Sequence, residues 1–146
     1  MSAYLLDVNV LIALIDPLHV HHERAHAWFG ARGRHEWLSS PTTQNGALRI
    51  TSHARYPNHQ APNLVIASLR SLLAAGRPRF IPDDLSLITP PTPELIHVDL
   101  INTTTQITDT YLLGLAVSND ARLATFDTRL VTRTVVGGSA GLELIP

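Results

Sequence analysis

The stretch LLDVNVLIAL, residues 5–14, sets an aspartate and an asparagine inside a run that is otherwise apolar enough to lie in a protein core. An ionised carboxylate taken out of water costs several kcal/mol unless something compensates for it. Asp7 is therefore expected to cap a helix, to pair with a basic side chain or to hold a metal ion. The rest of the sequence bears on which of these roles it has.

The composition is that of one globular domain, residues 1–146. At 45% apolar residues, a chain of this length buries about two thirds of its unfolded surface. The chain has no cysteine, which excludes a disulfide framework, a thiolate zinc site and a cysteine nucleophile. A bound metal ion would therefore have oxygen or imidazole ligands. The net charge of −1 provides no global basic field of the kind that favours nucleic-acid binding.

The amino-terminal segment MSAYLLDVNV resembles neither a secretory signal nor a membrane span. It has no basic leader before its apolar run, and Asp7, Asn9 and Asp16 interrupt that run. We expect a cytoplasmic protein with no membrane segment.

Short apolar strands alternate with helical segments along the chain. The predicted strands are AYLLDV, EWLSS, RFIP, LIHVD, RLATFD and LELIP, and the predicted helices lie near residues 9–15, 17–32, 41–53, 62–75, 104–118 and 128–132. The proline-rich segment at residues 88–95 is predicted to be a rigid loop. This alternation favours an α/β fold with a mostly parallel central sheet that helices cover on both faces.

Three aspartates form the candidate site. Asp7 and Asp127 each follow a predicted strand, and ligands of open parallel sheets bind beyond the carboxyl ends of strands, where the strand order reverses. Asp109 is the only charged residue of TTTQITDTYLLGLAVSN, residues 103–119, a segment typical of a buried helix. A single aspartate of this kind has an ordinary structural explanation, as a helix cap for Asp7 or Asp127 and as a partner of the helix dipole for Asp109.

The three carboxylates together are harder to explain by capping. At separations of about 5 Å and an effective dielectric of about 20, each pair would repel by roughly 3 kcal/mol. A divalent cation would offset that repulsion, and hard oxygen ligands favour Mg²⁺ or Mn²⁺. Clustered carboxylates that hold such ions are typical of phosphoryl transfer and phosphodiester hydrolysis.

Four blocks of the chain then resemble a known family. The segments LLDVNVLIAL, SSPTTQNGALRI, QITDTYLLGLA and RLATFD, in this order and spacing, resemble the PIN-domain ribonuclease toxins of VapC type over essentially the whole chain. The resemblance implies a PIN-like three-layer α/β/α sandwich and a Mg²⁺- or Mn²⁺-dependent endoribonuclease acting on tRNA or rRNA. It also implies a homodimer and a VapB-type antitoxin partner.

The resemblance assigns roles to particular positions. Asp7, Asp109 and Asp127 match the metal-binding acids of the family, Asn9 matches the asparagine that orders the first acid, and Thr125 matches a polar residue that hydrogen-bonds within the site. Gln44 departs from the pattern, because many relatives have glutamate there. Its amide oxygen can support a hydrated cation but brings no charge and cannot act as a general base. Three arginines are candidates for contacts with the RNA backbone: Arg49, Arg55 and Arg79.

Two alternatives stay open, and a third is set aside. Residues 22–26, HERAH, match the H-E-x-x-H helix of zinc proteases, although Arg24 at a central position of that helix would compete for Glu23 and oppose a cation. A catalytically weak PIN domain that binds RNA or an antitoxin as a regulatory module is the second alternative, suggested by Gln44. A phosphoacceptor domain with Asp7 as the nucleophile is disfavoured, because such sites need a lysine and the chain has none.

Overall fold

The computed structural model describes residues 2–90 and 95–146, and its centre is a parallel sheet. The strands are β1 (Ala3–Leu6), β2 (Trp37–Ser39), β3 (Pro78–Phe80), β4 (Ala121–Thr125) and β5 (Leu142–Leu144). Their spatial order is β3-β2-β1-β4-β5, and every neighbouring pair is parallel. Strands β2 and β3 are added to one side of β1, and β4 and β5 are added to its other side. The strand order therefore reverses between β1 and β4.

Five of the six predicted strands are confirmed, and the sixth is wrong. The segment LIHVD makes only one antiparallel bridge, between Ile96 and Val135, before a short 3₁₀ turn at Val98–Leu100. Ile96 is buried because its side chain covers a helix, not because it extends the sheet. An apolar pair that covers a helix has the same local pattern as a short strand. Residues 91–94 of the predicted proline-rich loop lie outside the described residues.

The structure has helices at five of the six predicted places. They are α1 (Val8–Ile15), α2 (His22–Ala31), α3 (Pro41–Ser52), α4 (Pro62–Leu72) and α5 (Thr105–Ser118). The helix predicted at residues 17–32 begins only at His22, because the Asp16 carboxylate accepts a hydrogen bond from the Leu18 amide and closes a turn there. The helix predicted at residues 128–132 is wrong, since that segment forms turns.

Local sequence explains where the helices near the site begin. Asp7 is the N-cap of α1, and its side chain accepts a hydrogen bond from the amide of Val8, the first helical residue, where a capping side chain more often accepts from the second or third. At the start of α3, Ser40 and Thr43 form a capping box, and Pro41 occupies the first turn, where its missing N–H costs nothing. Both helices begin directly after a strand, so both amino termini lie at the carboxyl edge of the sheet.

The core has two parts, one on each face of the sheet. Along β1, Tyr4 and Leu6 pack among the residues of α1 and α2, whereas Ala3 and Leu5 pack against the side on which α5 lies. This alternation has the two-residue period of a strand that is buried on both faces. The predicted three-layer α/β/α arrangement is confirmed. In the described part of the chain, no helix is long and apolar enough to cross a membrane.

Candidate active site

The carboxyl ends of β1 and β4 bring Asp7 and Asp127 to one edge of the sheet. The two strands are hydrogen-bonded neighbours in register from Ala3 opposite Ala121 to Leu6 opposite Ala124. The pairing continues one residue further, because the Asp7 amide donates to the Ala124 carbonyl at 3.0 Å. This edge is also where the strand order reverses, the usual position of a ligand site in an open parallel sheet.

Both carboxylate oxygens of Asp7 accept hydrogen bonds. Oδ1 accepts from the Val8 amide at 2.7 Å, and Oδ2 accepts from the Thr125 hydroxyl at 2.7 Å. The helix cap expected of Asp7 is thus present, but capping engages only one of its two oxygens. Each oxygen keeps a further lone pair that can accept a hydrogen bond or ligate a cation.

Thr125 is the buried centre of a small polar network. Its hydroxyl donates to Asp7 and accepts hydrogen bonds from Asn9 Nδ2 at 3.2 Å and from the Asp127 amide at 3.1 Å. One donor and two acceptor positions are all that a hydroxyl offers, so this side chain is fully engaged. Asn9 Oδ1 also accepts the Phe126 amide at 3.5 Å. Asn9 therefore orders Asp7 through Thr125 and not by direct contact.

The charges of three aspartates act on one another at this edge. Burial raises the pKa of Asp7, hydrogen bonds from Thr125 and Val8 lower it, and the charge of Asp127 raises it again. Burial raises the pKa of Asp109 to about 6, and the charges of Asp7 and Asp127 contribute to the same shift. Among the described residues, no basic side chain forms an ion pair with any of these aspartates. Like charges are thus held together without a protein cation to compensate for them.

Asp109 lies further along its helix than the sequence suggested. Because α5 begins at Thr105, Asp109 is in the second turn, and no acidic residue occupies the first turn. Interaction with the helix dipole falls off beyond the first turn, so it explains little of this position. Three residues that share a helix face with Asp109, at three, four and seven positions further along, are buried: Leu112, Leu113 and Ala116.

Asp127 caps no helix, contrary to one of its two expected roles. Its Oδ1 accepts a hydrogen bond from the Arg129 amide at 2.9 Å, which closes a side-chain turn over the loop that follows β4. A short polar side chain that bonds the main chain two residues ahead has the same sequence pattern as a helix cap. The turn fixes the carboxylate next to Thr125.

The cluster fits a hydrated divalent ion better than a closed metal cage. In residues 2–90 and 95–146, no three histidine, aspartate or glutamate side chains converge closely enough to enclose a metal ion by themselves. Mg²⁺ usually keeps several waters and takes only one or two carboxylates directly. Burial and the charges of Asp7 and Asp127 raise the pKa of Asp109, and an ion held by Asp7 and one neighbour, with the third carboxylate acting through water, would offset both effects.

Similarity to curated proteins accompanies this geometry. The chain is 38% identical over 135 residues to ribonuclease VapC44 of Mycobacterium tuberculosis, an alignment that covers 92% of this chain and 93% of the relative. It is 37% identical over 145 residues to ribonuclease VapC38 of the same organism, covering 97% and 96%. The chain belongs to the VapC family of PIN-domain ribonucleases. The resemblance noted in the sequence is confirmed.

The fold of this chain is similar to that of a solved VapC structure. The crystal structure of VapC20 from Mycobacterium tuberculosis, described as a toxin that cleaves the sarcin–ricin loop, matches 92% of this chain and 97% of its own with a TM-score of 0.60. At 10% identity this match bears on the fold alone. No protein-family model matches the chain.

Gln44, where this VapC chain departs from the expected glutamate, lies at the same edge of the sheet. It is on α3, and its Nε2 donates a 2.9 Å hydrogen bond to the hydroxyl of Ser39 at the end of β2. Because β2 adjoins β1, Gln44 and Asp127 lie on opposite sides of Asp7. In the described residues no donor reaches the Gln44 amide oxygen. Among the described residues, Gln44 forms no hydrogen bond with Asp7, Asp109 or Asp127, so its part in the site stays a prediction.

Asp120 is a further aspartate next to β4, but it does not lie at the same edge of the sheet as Asp7 and Asp127. It follows α5 and immediately precedes β4, with a positive φ of 54°. Asp127 follows the same strand, so Asp120 lies at the amino edge of the sheet. A strand advances about 3.3 Å per residue, so the length of β4 separates Asp120 from the aspartate cluster. It cannot complete the acidic site in place of Gln44.

The HERAH histidines of this VapC chain cap another helix. His22 Nδ1 contacts the Ala13 carbonyl at 2.7 Å, and His26 Nε2 contacts the Leu14 carbonyl at 2.8 Å. These carbonyls belong to the last turn of α1 and lack partners within their own helix. Arg24 forms no ion pair with Glu23. Because the described residues contain no cluster of three metal-binding side chains, the zinc-protease alternative gains no support.

His21 and Arg24, at the start of α2, contact Phe126 next to the site, and the sequence predicted no such part for either residue. His21 stacks on Phe126 with ring centroids 4.6 Å apart, and Arg24 lies over the same ring at 5.0 Å. Phe126 directly precedes Asp127. The only available signal was the aromatic residue within RLATFD next to a candidate ligand, and nothing in the sequence pairs that residue with α2.

Proposed function

We propose that this protein is a metal-dependent endoribonuclease that hydrolyses RNA phosphodiesters and is the toxin of a VapBC-type toxin–antitoxin pair. The observation that carries the proposal is the convergence of Asp7 and Asp127 on Thr125 at the carboxyl ends of two neighbouring parallel strands, in a VapC-family chain. We propose Mg²⁺ or Mn²⁺ as the ion. A VapB-type antitoxin, a homodimeric state and a cytoplasmic location belong to the same proposal.

The residues of the site have distinct parts in this proposal. Asp7 is held by two hydrogen bonds, so its carboxylate is oriented before any ion arrives. Asp109 and Asp127 approach it from α5 and from the loop after β4. When bound, the divalent ion would activate a water and neutralise charge on the attacked phosphate. Thr125 and Asn9 keep the carboxylate of Asp7 and the loop at Asp127 in place.

Cleavage assays with metal ions test the proposal. The purified protein is incubated with tRNA and rRNA in Mg²⁺, Mn²⁺ or a chelator, together with the variants Asp7→Asn, Asp109→Asn and Asp127→Asn. We expect cleavage by the wild type with either ion only, and at least a hundredfold lower rate in each variant, about 2.7 kcal/mol or more of lost transition-state stabilisation. Asp120→Asn is the matched control, because asparagine tolerates the positive φ there. Full activity of one variant would remove that residue from the site.

A regulatory module without efficient catalysis is the second candidate. Gln44 favours it, because its amide contributes no charge to the cluster and its nitrogen is engaged with Ser39. The same assays separate the candidates. RNA or antitoxin binding without any metal-dependent cleavage would select the regulatory module.

A further inference from the structure

An arginine of α2 adjoins the candidate site and has no assigned part in it. Arg24 lies 5.0 Å from the centre of the Phe126 ring, on which His21 also stacks. Phe126 is the residue before Asp127. We call Arg24, His21 and Phe126 the Arg24 platform. It flanks the acidic cluster on the side of β4, away from Gln44 and β2.

Hydrogen bonds fix the guanidinium of Arg24 in one orientation. Its Nε donates to the main-chain oxygen of Pro146 at 2.9 Å, and its Nη2 donates to that of Ile145 at 3.1 Å. Its Nη1 lies 2.8 Å from Nδ1 of His21. A guanidinium can only donate, so this imidazole nitrogen accepts, and the proton of the neutral ring is on Nε2. The free chain has thus already lost the rotamer freedom that binding would otherwise cost.

No aspartate or glutamate side chain of the described residues neutralises the charge of Arg24, whose main-chain acceptors are the last two residues of the sequence, Ile145 and Pro146. Within residues 2–90 and 95–146, no aspartate or glutamate forms an ion pair with it, and the residue is exposed. A guanidinium has five N–H donors, and the three contacts above leave one on each terminal nitrogen. Free N–H groups on both terminal nitrogens of a fixed, planar cation can donate to the oxygens of a phosphate.

We infer that Arg24 binds a backbone phosphate of the RNA next to the phosphate at the acidic cluster. The inference rests on the proposed function, because it names a substrate contact of that site. The three carboxylates repel a polyanion, and a fixed guanidinium over the ring of Phe126, the residue before Asp127, offsets that repulsion where the strand passes. Arg24 is then a substrate-binding residue that acts mainly on affinity, and the aspartates act on the chemical step.

Binding and cleavage are measured separately. A short fluorescein-labelled single-stranded RNA is titrated in chelator, at several salt concentrations, with wild type, Arg24→Gln, Arg24→Lys and Arg77→Gln. Arg77 is the matched control, because it is an exposed arginine directly before β3, at the opposite edge of the sheet. Melting temperatures report whether each variant folds, since Arg24 also holds the main chain at Ile145. Kinetics in Mg²⁺ then give kcat and KM for the same RNA.

We expect Arg24→Gln to weaken RNA binding about tenfold and to lower the salt slope by about 0.7, the value for one lost contact with a single strand. KM should rise with kcat nearly unchanged. Arg24→Lys should lie between it and wild type, because a lysine keeps the charge without the planar pair of donors. If Arg24→Gln does not fold, the RNA affinity of Arg24→Lys tests the inference in its place. Arg77→Gln should bind as wild type does.

The outcomes separate this inference from the proposed function. Wild-type affinity in folded Arg24 variants, or an equal loss in Arg77→Gln, would overturn the inference, and metal-dependent cleavage by the wild type would leave the nuclease proposal standing. An Arg24-dependent loss of binding in a protein that never cleaves RNA would support the phosphate contact and overturn the nuclease proposal.

Discussion

The hydroxyl of Thr125 donates a 2.7 Å hydrogen bond to Oδ2 of Asp7 and thereby joins two residues that are 118 positions apart in the chain. The bond links the end of β4 to the start of α1 and fixes the orientation of the Asp7 carboxylate. We expect Thr125→Val to leave Asn9 Nδ2 and the Asp127 amide short of an acceptor and to destabilise the protein by about 1–3 kcal/mol. Urea denaturation measures this loss.

Cleavage by Thr125→Val should fall at least tenfold, because a misoriented carboxylate places the ion poorly. Thr128→Val is the matched control, since Thr128 is exposed on the loop beside Asp127. Equal activity of wild type and Thr125→Val would show that the hydrogen bond has no part in positioning Asp7.

The stability of the metal-free protein should depend on the ionisation of Asp109. Its pKa is raised from 3.8 to about 6, so the folded state binds this proton more tightly than the unfolded chain does. Stability is therefore greatest below the ordinary pKa and falls as pH rises through the folded value, between roughly pH 4 and 7. Asp109→Asn should flatten this part of the profile. Melting temperatures in chelator across that range test the expectation.

Saturating Mn²⁺ should restore the stability of the wild type near neutral pH, because the ion binds only the folded state. The same addition should do less for Asp109→Asn. A profile that stays level from acid to neutral pH in the wild type would mean that neither burial nor the charges of Asp7 and Asp127 raise the pKa of Asp109 in solution. Asp7→Asn is a poor substitute in this test, because the amide replaces one of two hydrogen-bond acceptors.

Gln44→Glu should show whether position 44 belongs to the metal site. If the side chain faces the aspartates, a fourth charge tightens Mn²⁺ binding, raises cleavage at limiting metal and lowers the stability of the metal-free protein. Ser39 can reverse its role and donate to the new carboxylate, so the contact between the two side chains survives. Calorimetric titration and thermal melts in chelator measure these effects. Unchanged metal affinity and unchanged stability would place position 44 outside the site.

The double variant His22→Gln, His26→Gln separates helix capping from metal chemistry. Loss of the two contacts with the Ala13 and Leu14 carbonyls should cost about 1 kcal/mol each, while RNA cleavage stays within twofold of wild type. Metal analysis of the purified wild type should find no stoichiometric zinc. Zinc that binds tightly to the wild type and is lost in the double variant would revive the protease alternative.

Gly46 lets α3 approach the start of α1. A Cβ built at this glycine would lie 2.8 Å from Cγ2 of Val8, the residue after Asp7. Gly46→Ala should therefore push the two helices apart, cost about 1–3 kcal/mol and reduce cleavage. Gly30→Ala on α2 meets nothing within 4 Å and is the control, expected to stabilise slightly. Denaturation curves of both variants compare the two sites directly.

Local pattern was enough to predict most elements of this fold. The apolar run that contains Asp7 and the run that ends at Asp127 are each long enough to be recognised as strands, and proline and serine mark the start of α3. Hydrophobic periodicity and capping act over a few residues, so the sequence displays them directly. The three aspartates could be singled out for the same reason, because each is a charge within an apolar run.

Contacts between distant segments were beyond such patterns. LIHVD reads as a strand, but whether Ile96 extends the sheet or covers α5 depends on which segment occupies the sheet edge. The side chain of Asp127 could close a turn or cap a helix. No helix follows it in the described part of the chain, and its carboxylate accepts the Arg129 amide in a turn. HERAH matches the sequence of a zinc motif. The structure shows instead that its two histidines contact main-chain carbonyls at the end of α1.

The sequence by itself thus determined which elements form and which residues carry unusual charge, because both follow from interactions between near neighbours in the chain. Only the tertiary structure decided that Thr125 holds Asp7, that Asp120 lies at the far edge of the sheet, and that Arg24 lies over Phe126. Those relationships follow from strand order and helix packing. Helix packing is set by the burial of apolar surface, which is non-directional and is summed over the whole core. No short stretch of sequence therefore encodes the packing.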